Sequence, residues 1–68
     1  MDLETKWKVI AGIHQEYLPE WTIGEFISNF ESWYERKLRY VPDDDLLRKL
    51  KNFATQELVH QKFVNGNK

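Results

Sequence analysis

Leu18-Pro19-Glu20-Trp21-Thr22-Ile23-Gly24-Glu25-Phe26 decides the fold of this chain. Pro19 pushes Leu18 out of helical geometry and ends whatever helix precedes it. Thr22 and Glu25 have capping-box spacing: the Thr22 hydroxyl reaches the Glu25 N–H, and the Glu25 carboxylate reaches back to the Thr22 N–H. Trp21 before the cap and Phe26 at the fourth helical position have the spacing of a hydrophobic staple. One helix stops here and another starts within four residues.

Downstream, Ile23, Phe26, Ile27, Phe30, Tyr34, Leu38 and Val41 recur at helical spacing with Trp33 at the edge, so the pattern predicts a helix over 22–40. Arg36, Lys37 and Arg39 suit the negative end of such a helix. Upstream, Leu3, Trp7, Ile10, His14 and Tyr17 form a stripe, flanked by Ile13 and Leu18, with Asp2 as N-cap. That predicts a helix over 2–18. Gly12 within it fits an exposed position or the close approach of another helix.

Pro42 separates the second helix from a third over 43–64, opened by Asp43, Asp44 and Asp45 at its positive N-terminus. Leu46, Leu47, Leu50, Phe53 and Ala54 make its apolar stripe. Beyond Ala54 the stripe breaks, and Leu58, Val59, Phe63 and Val64 turn to other sides. Two explanations fit: a kink near Thr55 or a drifting contact with the first helix, or a second apolar edge that meets another chain. No segment alternates with period two. The expected architecture is an all-α three-helix bundle, residues 1–64, with a short tail at 65–68.

The chain has 68 residues, a formal charge of -1, no cysteine and ten aromatics (three Trp, three Tyr, four Phe). That length gives one domain with a small core, and the aromatic content argues against disorder. Without cysteine there is no disulfide to reinforce it, so self-association or a partner is a reasonable second source of burial. The acidic start, Met1-Asp2-Leu3-Glu4, is unlike a secretory signal, and no apolar run has the length of a membrane span. A cytoplasmic setting away from the membrane is the expectation.

No chemistry is spelled out. His14 and His60 have no second His or Cys at i+3 or i+4, and the Asp43–Asp45 run lacks the glycine and distal glutamate of a calcium loop. Ser28 and Ser32 sit in no nucleophile elbow, and Gly12, Gly24 and Gly66 are isolated rather than a phosphate-binding loop. His14, central to an apolar stripe, reads as a hydrogen-bonded boundary residue. The chain is expected to be no enzyme and to use no metal or cofactor.

Two binding readings remain. Trp7, Trp33 and Tyr40 are the aromatics expected at the boundary, and large aromatics there anchor protein interfaces. With Val59 and Phe63 they suggest a protein interface at Trp33, Tyr40, Val59 and Phe63, either with a partner or in a homodimer. The second reading is nucleic-acid binding by Arg36, Arg39, Arg48 and Lys51, part of a basic second half. Against it stand the three aspartates in the turn and a pI near 6.1.

Pro19-Glu20-Trp21-Thr22-Ile23-Gly24-Glu25-Phe26-Ile27-Ser28-Asn29 resembles a group of short bacterial and phage-associated proteins with a Pro-x-x-x-x-Gly-(Gln/Glu)-x-Ile-x-Asn segment. Tyr40-Val41-Pro42-Asp43-Asp44-Asp45-Leu46-Leu47 resembles their second block, an acidic helix start followed by leucines. The resemblance spans residues 19–50. It implies a small cytoplasmic all-α protein and carries over no functional residue.

Overall fold

Each of the two early caps forms as its sequence dictates. In the computed structural model, which describes the backbone of residues 1–66 and the side chains of residues 1–62, the Asp2 carboxylate accepts the Thr5 N–H at 2.8 Å and starts α1, Leu3–Tyr17. The Thr22 hydroxyl accepts the Glu25 N–H at 3.0 Å, and Glu25 Oε1 accepts the Thr22 N–H at 2.9 Å, opening α2, Ile23–Tyr34. Trp21 and Phe26 both rest on Phe53, with ring centroids 6.0 and 6.1 Å away. Pro42 contributes its carbonyl to the Leu46 N–H at 2.9 Å as α3, Asp43–Gly66, begins. The molecule is an all-α three-helix bundle.

The second helix is shorter than its pattern predicts. It ends at Tyr34 instead of residue 40, because Glu35 takes a left-handed conformation (φ 61°) and its N–H closes on the Glu31 carbonyl at 3.1 Å. A non-glycine residue there costs about 1–2 kcal/mol. The turn redirects the chain so that a short 3-10 helix, Leu38–Tyr40, lays Leu38 against the core before Pro42. Leu38 is thus apolar for the predicted reason but reaches the core from a different element.

The third helix runs unbroken through Thr55, whose hydroxyl donates to the Lys51 carbonyl at 2.8 Å without interrupting it. Asn65 and Gly66, expected in the tail, are its last two residues; Asn67 and Lys68 lie outside the described residues. At 24 residues, α3 is about 36 Å long and sets the long axis of a 42 × 23 × 18 Å molecule. The apolar drift after Ala54 follows α1 to its end: Leu58 and Gln61 border the same hollow as Tyr17, Leu18 and Pro19.

The start of α1 lies beside the start of α3, where Lys6 Nζ meets Asp43 Oδ2 at 2.6 Å. With their other ends also together, α1 and α3 run parallel, and α2 lies against the middle of α3, where Phe26, Phe30 and Trp33 all meet the Phe53 ring. Both α1 and α2 pack chiefly on α3 and only sparingly on each other. Phe53 is the hub: Phe30 and Trp33 stand 5.6 Å from its ring, and Ile13, Leu18, Phe26, Leu50 and Ala54 complete the buried core.

Candidate protein-docking face

Because α1 and α2 pack on α3 more than on each other, the surface between them is not closed. It forms an open groove of about 610 Å³. Trp7, Ile10, Ala11 and His14 supply the α1 wall, Ile23 and Ile27 the α2 wall, and Phe26 the floor; Gln15 and Pro19 complete the lining. Helical spacing explains each wall. Trp7 and Ala11 are four residues apart, as are Ile23 and Ile27, whereas Ile13 and Phe30 turn inward.

No Asp, Glu, Lys or Arg lines this groove. Trp7 is 59% exposed, Ile23 75% and Ile27 37%. A smaller hollow of about 120 Å³ shares Trp7 and Ile10 and adds Leu3, Leu46 and Leu47, with the ion-paired Lys6 and Asp43 also in its lining.

His14 is held in the lining by two contacts. Its ring stacks on Phe26 at 4.5 Å with 7° between planes, and Nε2 lies 2.7 Å from the Trp21 carbonyl oxygen. A carbonyl only accepts, so Nε2 carries the hydrogen. The expectation of a hydrogen-bonded boundary histidine is met. Gly12, on the outer side of α1, has open space beyond it, so the reading of close helix approach gives way to the exposed one.

Of the interface residues expected from sequence, Trp33, Tyr40 and Val59 do not line this face. Trp33 is half-buried against Phe30 and Phe53, and its Nε1–H donates to Gln56 Oε1 at 3.2 Å. Tyr40 is exposed beside the start of α3, and Val59 is exposed on its distal turns. Sixteen residues of α3 separate the latter from Asp43, about 24 Å along the axis. The Phe63 side chain lies outside the described residues.

The basic set is divided as well. Arg36 borders a cleft of about 310 Å³ with Lys37, Tyr40, Pro42 and the acidic Asp45. Arg39 lies over the Tyr40 ring at 6.0 Å, Arg48 is paired with Asp45 at 2.8 Å, and Lys51 is exposed one turn beyond Arg48. Among the described residues no group of three or more His, Cys, Asp or Glu is placed to hold a metal ion, and no helix is long and apolar enough to cross a membrane.

Comparison with protein families, with curated proteins and with solved structures finds no match to this chain. Sequence reasoning named Trp7 as a boundary residue but assigned Ile23 and Ile27 to the core stripe. The missed signal was stripe width: α1 is apolar from Ile13 round to Trp7 and Ala11, more than one neighbouring helix can cover.

Proposed function

We propose that this chain is a non-enzymatic interaction module of the cytoplasm, set among the short bacterial and phage-associated helical proteins it resembles. It docks on protein through the α1–α2 face, in place of the set Trp33, Tyr40, Val59 and Phe63. The observation that carries this reading is the uncharged groove flanked by the exposed Trp7 and Ile23. Contiguous apolar surface of this kind marks interaction sites. Covering side chains of this size contributes about 1.5–3 kcal/mol each. His14, the one titratable side chain in the lining, already gives its Nε2–H to Trp21.

A photo-cross-linking residue at position 23, compared with one at the exposed Asn52 on α3, tests the reading in extract of the source cells. A discrete protein adduct from position 23 and none from position 52 is expected. No adduct from position 23 would overturn it. The nucleic-acid reading, with Arg36, Arg39, Arg48 and Lys51, is the weaker one because Asp45 stands among those cations; it requires a salt-sensitive gel shift with DNA or RNA.

A further inference from the structure

Of the residues lining the α1–α2 groove, His14 alone belongs to a type that changes charge between roughly pH 5 and pH 8. The structure sets where its protons lie. Nε2 carries the hydrogen that meets the Trp21 carbonyl at 2.7 Å, so in the neutral ring Nδ1 keeps its lone pair. Nδ1 has no hydrogen bond among the described residues, and no polar side-chain atom among them is buried without a partner. Nδ1 is therefore open to water, and a second proton can reach it.

Taking up that proton breaks neither contact of the ring. The cation still donates Nε2–H to Trp21, lies over the Phe26 face at 4.5 Å, and occupies the last turn of α1, where the helix end is negative. The fold is kept while the groove gains a full charge. Nothing in the lining offsets it. From α2 the groove presents Ile23, Phe26 and Ile27, and α3 contributes no residue to it. The nearby titratable groups, Glu16 and Tyr17 on α1, Glu20 in the turn and Lys62 on α3, line the separate hollow beside Leu58.

We propose that His14 is a proton-operated switch on docking. Neutral, it leaves the α1–α2 face uncharged and open to an apolar partner; protonated, it turns such a partner away. This rests on the docking reading and supplies its regulation. An apolar surface laid over the protonated ring must strip water from a cation with no carboxylate in the lining. Proton uptake and docking therefore oppose each other, each by the same factor.

Nile red, an uncharged apolar dye, is the probe. Its affinity for the purified chain is measured by fluorescence from pH 8 to pH 5, with helical circular dichroism followed alongside. The wild-type affinity should fall by about tenfold across that range while the helical signal holds. Ile23→Lys should weaken binding at every pH. His60, the other histidine, is exposed on α3 and outside the lining, so His60→Gln should behave as the wild type does. His14→Phe keeps a stacked plane but takes no proton, and its affinity should stay level. A wild-type signal that is absent or level from pH 8 to pH 5 overturns the switch, as does a fall of the same size in His14→Phe. In either case an adduct from the position-23 cross-linker leaves the docking reading standing, and its absence removes both.

Discussion

His14 Nε2 and the Trp21 carbonyl oxygen stand 2.7 Å apart, tying the last turn of α1 to the residue just before the α2 cap. The same ring lies flat on Phe26. His14→Ala should therefore lose a hydrogen bond and a stacked contact together, lowering stability by about 1–3 kcal/mol. His14→Phe keeps an aromatic plane and should recover part of the loss. Chemical denaturation of both variants checks this; equal losses would mean that the stack contributes nothing.

Thr22→Ala removes the hydroxyl that accepts the Glu25 N–H. The expected cost is about 1 kcal/mol. An unchanged midpoint of thermal unfolding would contradict a contribution from the cap.

Gly12→Ala should act in the opposite direction. No atom lies within 4 Å of an added methyl group, and the glycine does not occupy the left-handed region. Replacing it within α1 should stabilise the chain by about 0.5–1 kcal/mol, read as a higher melting temperature. A decrease would show that the outer face of α1 is covered.

Phe53→Ala should be the most damaging single change. The ring is 1% exposed and meets Trp21, Phe26, Phe30 and Trp33. A loss of about 3–5 kcal/mol is expected, and a variant still cooperatively folded with wild-type stability would contradict Phe53 as the hub.

Stability should fall at both extremes of pH. The hydroxyl and N–H of Thr5 hold Asp2 below its ordinary 3.8. The N–H of Thr22, then its hydroxyl, hold Glu25 below 4.5. Each carboxylate adds stability above its ordinary value and loses it as pH falls through its lowered one. Lys6 is the reverse case: the hydrogen bond to Asp43 raises it above 10.5, so its contribution is complete below that value and disappears as pH rises through the raised one. Melting temperature against pH should fall at both ends, and Asp2→Asn with Glu25→Gln should flatten the acid limb. An acid limb unchanged in that double variant would locate the loss elsewhere.

The helix starts were legible because they depend on residues within four positions of one another, as at Asp2–Thr5 and Thr22–Glu25. Their packing was less so. Nothing local marks Glu35 as a left-handed terminator, since neither glycine nor proline stands there; the end of α2 is imposed by where Leu38 and α3 lie. Ile23 is the clearest case for the site. Its spacing to Phe26, Ile27 and Phe30 is that of a core residue, yet it is exposed because α3 covers only the Phe26 and Phe30 side of α2. Periodicity shows that a face is apolar, and the angle between neighbouring helices decides how much of it is covered.

The shared support of α1 and α2 also bears on synthesis. The first forty residues emerge from the ribosome with two apolar helices and nothing to lie against, because Leu50, Phe53 and Ala54 have yet to be made. The nascent chain can bury little until the last third arrives, and folding should then occur in one step rather than helix by helix. A chain stopped just before Phe53 should be a ready substrate for proteases and chaperones, whereas one that includes all of α3 should not.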